Sequence, residues 1–203
     1  MQQMQNHSGS VKEQSVIAVN YKKAALFSGV LLLVILLDQL TKYWVVQNFA
    51  LGESKPVIEG VFHFTYILNR GAAFGMLADQ RWIFLVLSTI SISGIYLWLI
   101  LRSKKIGYLF GIAMSMVAGG GVGNMIDRVW NGEVFGSGAV VDFPDFCAFP
   151  ELWSWIFNVA DAAVCVGAGL VVLAVILDEV KLAREEKAKK AAEASVAIEE
   201  KHD

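Results

Sequence analysis

Four apolar stretches of about 20 residues each limit what this chain can fold into. They run from about Ala24 to Val46, Trp82 to Leu101, Ile106 to Met125 and Asn158 to Leu177. Each is close to the ~20 residues that cross ~30 Å of hydrocarbon. Inside that layer there is no water for backbone N–H and C=O groups, and a helix satisfies them within its own segment. The expected fold class is therefore an all-α membrane protein with four transmembrane helices. Composition agrees: 56% of the 203 residues are hydrophobic, too many for a soluble domain of this length. The first stretch sits where a secretory signal peptide would. It is long, keeps Asp38 and Lys42, and precedes further spans, so it reads as a retained helix.

Basic residues set the expected orientation. The N-terminal tail, the second connection and the C-terminal tail together hold twelve Lys and Arg, from Lys12, Lys22 and Lys23 through Arg102, Lys104 and Lys105 to the 181–201 cluster. The first and third connections hold four, Lys55, Arg70, Arg81 and Arg128. Both termini are expected in the cytoplasm, and the connections 47–81 and 126–157 on the outer face.

The first outer connection contains Val57-Ile-Glu-Gly-Val-Phe-His-Phe-Thr-Tyr-Ile67, rich in β-branched and aromatic residues. It reads as a strand pair or small sheet on the membrane surface, a cradle within about 48–75. The second, about 126–157, reads as a glycine-rich outer flap loop with a short surface helix near Phe149–Trp155. Residues 1–20 read as a disordered cytoplasmic tail, 21–178 as the membrane domain and 179–203 as a charged cytoplasmic tail with helical i,i+4 pairs. Gly119 and Gly123, four apart, mark a face for close helix approach. Cys147 and Cys165 form no metal or redox motif and are expected to remain unpaired.

No basic patch is interleaved with exposed aromatics, so nucleic acid is not an expected partner. The informative residues are the polar ones that a membrane domain does not require. They are Asp38 and Lys42 at the end of the first helix, Asn69 and Arg70, then Asn124, Asp127 and Arg128, then Asp142, and lastly Asn158 and Asp161. On the orientation above all collect at one outer rim. Asn124 and Arg128 share a helical face, as do Asn158 and Asp161.

Carboxylates at a bilayer are costly and mark function. Two close carboxyls share one proton, so that one takes a proton from water while the other polarises a carbonyl. No metal or other cofactor is expected: the rim has no HExxH or similar His pair, and His63 stands alone. A serine triad lacks a base for the same reason. Charge placement alone leaves an aspartyl dyad and a proton or ion relay both open. A relay implies midplane carboxylates on broken or repeated helices, and no clear inverted repeat is visible. A non-catalytic envelope assembly role would tolerate Asp→Asn changes.

Five blocks then occur in order: Leu37-Asp-Gln-Leu-Thr-Lys42, Leu68-Asn-Arg-Gly-Ala-Ala-Phe-Gly75, Gly123-Asn-Met-Ile-Asp-Arg128, Val140-Val-Asp-Phe143 and Phe157-Asn-Val-Ala-Asp-Ala162. Over about residues 24–178 the chain resembles the bacterial lipoprotein signal peptidases, the type II signal peptidases. That resemblance implies an aspartic endopeptidase of the bacterial cytoplasmic (inner) membrane. It would remove the signal peptide from diacylglyceryl-modified prolipoproteins, cutting before the lipidated cysteine. By resemblance Asp142 and Asp161 are the catalytic pair. Asn69, Asn124, Arg128 and Asn158 line the site and hold substrate, and Asp38 and Lys42 support it. The resemblance also implies a substrate cradle, a mobile flap, membrane lipid as surroundings and the antibiotic globomycin as an inhibitor. A monomer meets every requirement. Phe74, Met76 and Leu77 are expected to contact the signal helix or acyl chains. The 129–141 link is longer than the family's expected short connection, an inexpensive change in an exposed loop.

Overall fold

The computed structural model describes residues 19–70, 81–131, 138–151 and 155–199. The elements run α1 (Tyr21–Asn48), β1 (Ser54–Ile58), β2 (Phe62–Asn69), α2 (Arg81–Leu101), α3 (Tyr108–Trp130), β3 (Val140–Phe146) and α4 (Val159–Glu199). Asn20, expected in the tail, instead caps α1: its side-chain oxygen accepts the N–H groups of Lys22 and Lys23 at 3.1 and 3.2 Å. Two of the four orphan donors of that helix end are thereby satisfied.

Among the described residues three helices are long and apolar enough to cross a membrane: α1, α3 and the 159–191 part of α4, with mean hydropathies of 2.1, 1.5 and 2.5. Polarity is distributed inside out. Leu32, Leu36, Leu40, Val86, Ile90, Val172 and Ile176 face outward, while Asp38, Lys42, Ser115, Asp127 and Asn158 are buried. In water this arrangement would be penalised on both counts. In lipid the outer apolar surface is at home, and helices associate through close packing and buried polar links.

The centre of that packing is α3, which touches α1, α2 and α4. Its glycines make the approach feasible. A Cβ on Gly119 would stand 2.9 Å from the Leu31 carbonyl oxygen of α1, and one on Gly120 would collide with the Ala160 carbonyl of α4. Gly123 leaves room for Asp38, whose Oδ2 would be 2.6 Å from an added Cβ. The glycine face expected from the sequence thus borders α1 on one side and α4 on the other.

The sheet has three antiparallel strands in the order β1-β2-β3. Gly60, with φ +70°, makes the β1–β2 turn. Pairing of Ile67 with Asp142 and Asn69 with Val140 brings the start of β3 beside the end of β2. The cradle is therefore larger than the 48–75 segment: β3 lies inside the connection expected to be loop. Pro144 and the preceding glycines obscured it, since proline interrupts a ladder. Here the ladder shifts register between Phe64 and Ile67, and the far side of β3 is completed by Phe143 N–H to the Phe157 carbonyl and Phe157 N–H to the Pro144 carbonyl, at 2.9 and 3.2 Å. Val45 of α1 and Phe49 just after it pack on Tyr66, Val141 and Phe143, so the sheet docks on the C-terminal end of α1.

The third helix runs five residues beyond Met125, carrying Asp127 and Arg128 on a regular helix. Of the long 129–141 link, residues 132–137 lie outside the described residues. Its ends meet through Ala139 N–H to the Asn131 carbonyl at 2.9 Å. Of the stretch 149–155 where a surface helix is expected, Pro150 and Glu151 form a turn and 152–154 lie outside the described residues. Phe74, Met76 and Leu77 also lie outside them.

Candidate active site

Asp142 projects from β3 and is 1% exposed. Its Oδ1 accepts from Asn158 Nδ2 at 2.6 Å and its Oδ2 from Asn69 Nδ2 at 3.0 Å. Asp161 sits in the first turn of α4. Asn158 Oδ1 accepts the Asp161 N–H at 2.8 Å, and Asp161 Oδ2 accepts the Asn158 N–H at 3.3 Å. This is a capping box built from Asn and Asp, and it explains why the helix starts there. The same Asn158 side chain reaches Asp142, so one amide contacts both aspartates' surroundings: it bonds the first carboxylate and caps the helix that carries the second.

Asn124, on α3, completes the ring. Its Nδ2 donates to Asp161 Oδ1 at 2.8 Å, and its Oδ1 accepts from Asn158 Nδ2 and from Lys42 Nζ, both at 3.0 Å. Arg128 Nη1 donates to the Asn124 carbonyl at 3.2 Å, and its charge acts on Asp161, Asp142 and Asp127. Burial pushes the Asp142 carboxyl up to about 6 from its ordinary 3.8. The negative charge of Asp161 adds to the rise, while the bonds from Asn69 and Asn158 and the charge of Lys42 oppose it. Among the described residues no three His, Cys, Asp or Glu side chains gather as metal ligands.

All eight residues expected at the site meet in this network. Asp38 and Lys42 form its inner end, with Lys42 Nζ 2.8 Å from Asp38 Oδ2 and only 3% of Lys42 exposed. Two residues with larger parts than the sequence revealed are Asp127 and Gln39. Asp127 Oδ2 lies 3.1 Å from Lys42 Nζ. Gln39 Nε2 lies 3.1 Å from Asp38 Oδ2, 3.0 Å from Asp127 Oδ1 and 3.2 Å from the Gly123 carbonyl oxygen. The signal for Asp127 was its three-residue spacing from Asn124, which puts both on one face of α3.

The arrangement supplies a carboxyl with a raised proton affinity, a second carboxylate held by neighbouring amides, and a guanidinium close to both. Comparison with known proteins identifies the setting. The family model for signal peptidase (SPase) II matches residues 30–177. The lipoprotein signal peptidase of Halalkalibacterium halodurans is 41% identical over 159 residues, 78% of this chain and 97% of that protein. That of Brevibacillus brevis is 46% identical over 147 residues, 71% of this chain and 91% of that protein. That of Bacillus subtilis is 40% identical over 161 residues, 79% and 99% of the two chains. Two solved structures, each described as a bacterial membrane enzyme, superpose with TM-scores of 0.65 and 0.63 at 28% identity, the first covering 80% of this chain and 93% of its own. With a family model spanning well over half of the sequence and relatives this similar across most of their own length, the chain belongs to the signal peptidase II family.

Proposed function

We propose that this protein is an aspartic endopeptidase that removes signal peptides from diacylglyceryl-modified prolipoproteins, cutting before the lipidated cysteine with a water activated by Asp142 and Asp161. Family membership supports the peptidase assignment, and the relatives' names support the prolipoprotein substrate. The observation that carries the mechanism is the Asn158 side chain, which bonds Asp142 while capping the turn that holds Asp161.

In this reading Asp142 holds the shared proton, because burial favours its neutral form. Asp161 takes a proton from water as the water oxygen bonds to the scissile carbonyl carbon. Asp142 gives its proton to the carbonyl oxygen. The resulting gem-diol collapses: the C–N bond breaks, Asp161 delivers its proton to the leaving nitrogen, and a diol hydroxyl returns one to Asp142. Arg128, Asn69 and Asn124 hold the substrate backbone and the carboxylates in register. No metal takes part.

The 21 residues of α2 serve as the fourth span, about 31 Å at 1.5 Å per residue. With both termini cytoplasmic, the carboxylates and the sheet face the outer side of the bacterial inner membrane. The acyl chains of the substrate then stay in lipid while its peptide bond meets the rim. Globomycin inhibits by occupying the pair, and the monomer suffices. Purified enzyme should convert a diacylglyceryl-modified precursor to a product whose mass places the new N-terminus at the lipidated cysteine. Equal cleavage of the unmodified precursor, or a cut elsewhere, contradicts the assignment.

A further inference from the structure

A second set of buried charges joins the two elements that carry Asp142 and Asp161. Asp127 Oδ2 accepts the N–H of Val141, the residue before Asp142, at 3.0 Å. Asp38 Oδ1 accepts the N–H of Ala160, the residue before Asp161, at 2.9 Å. Each anchor thus fixes the backbone one residue ahead of a site carboxylate. One ammonium pairs with both anchors: Lys42 Nζ donates to Asp38 Oδ2 at 2.8 Å and lies 3.1 Å from Asp127 Oδ2, and it also donates to Asn124 Oδ1 at 3.0 Å. Asp38 is 0% exposed, Lys42 3% and Asp127 4%.

Stability alone is a poor reason to keep such a cluster. Removing charges from solvent is costly, and well-packed apolar residues in place of a buried ion pair are often neutral or stabilising. What the cluster adds is geometry. It ties α1, α3, the start of β3 and the start of α4 to one point. We propose that Asp127 and Asp38, clamped by the single Lys42 ammonium, are positioning residues that set the spacing between Asp142 and Asp161. The inference rests on the dyad reading above and adds to it how the pair is held.

The test compares Lys42→Met/Asp127→Leu with wild type in the full-length purified enzyme, using a diacylglyceryl-modified precursor. The double change removes one positive and one negative charge and leaves Asp38 with Ala160 and Gln39. Asp38 is left buried without its ammonium, so the melting temperature is expected to fall; in the folded enzyme KM is expected unchanged and kcat down on the order of 100-fold, the cost of a misplaced reacting group. Wild-type kcat in the folded double variant overturns the proposal. If the double variant does not fold, Asp127→Asn and Asp127→Ala decide. Asn keeps an acceptor for the Val141 N–H and is expected to stay within about tenfold of wild-type kcat, the worth of roughly one hydrogen bond. Ala is expected to lose on the order of 100-fold. Equal kcat for the two at equal folded fraction also overturns it. Asp142→Asn in the same assay separates the two readings: cleavage by that variant sinks the dyad itself, whereas its inactivity beside a fully active double variant sinks only the positioning role.

Discussion

At the scale of single residues, Asp142 links fold stability to chemistry. Its carboxyl has an ordinary pKa of 3.8, raised to about 6 in the folded protein. Below pH 4 it is neutral whether folded or unfolded, and costs nothing. Between pH 4 and 6 the unfolded chain ionises first, so folding stability falls as pH rises; above 6 the cost is constant. Its full size is about 3 kcal/mol, from two pKa units at 1.36 kcal/mol each. Asp142→Asn lacks this titration. The stability of wild type minus that of the variant should therefore drop between pH 4 and 6 and flatten above, measured by melting in detergent at a series of pH values. A flat difference across that range contradicts the raised pKa. Much of this site was legible beforehand: a carboxylate at a membrane edge has few bland explanations, and Asn158-x-x-Asp161 has the spacing of a capping box. Gln39 was not legible, because an amide beside a charged residue in an apolar helix carries no periodic signal. The partner of Asp127 was not legible either, because its contact with Lys42 depends on how α1 crosses α3.

At the scale of elements, helix contacts are set by where side chains are missing. A Cβ on Gly123 would stand 2.6 Å from Asp38 Oδ2 and 3.4 Å from Ala160 Cβ. Asp38 must then move from the Ala160 N–H it holds. Gly123→Ala is expected to cost about 1–3 kcal/mol, as overpacking does, and to lower kcat as well. Gly29→Ala in α1 meets nothing within 4 Å and should be neutral or stabilising by up to about 1 kcal/mol. Denaturation of the two variants in the same detergent checks the contrast, and equal stability for both would contradict it. The spans were readable because hydrophobic length is a strong, local signal. Strand β3 was not: its ladder partners are β2, some 75 residues earlier, and the Ile156–Phe157 segment after it, while Pro144 reads locally as a break. Pairing over such distances is a tertiary fact, which no local pattern of Val140–Phe146 encodes.

At the scale of the whole molecule, the charge asymmetry of the connections predicts one orientation. In a Cys147→Ala/Cys165→Ala background, Lys55→Cys is expected to react with a membrane-impermeant thiol reagent in intact cells, and Lys104→Cys only after permeabilisation. The reverse pattern would invert the topology and move the carboxylates to the cytoplasmic side. The helical tail beyond the family match is the part least tied to the site: α4 runs to Glu199, about 62 Å in all, while the match ends at residue 177. Its exposed Lys181–Glu185 and Lys190–Glu186 pairs are worth little individually. The proposed chemistry converges instead on two carboxyl groups held by Asn158, Asn124 and Asn69. The most direct measurement is single-turnover cleavage of a diacylglyceryl-modified precursor by purified Asp142→Asn and Asp161→Asn enzymes, each shown to melt cooperatively. Both should lose on the order of 1,000-fold or more in rate, as expected when an acid or base of a concerted pair is removed. Near-wild-type cleavage by either folded variant would contradict the account.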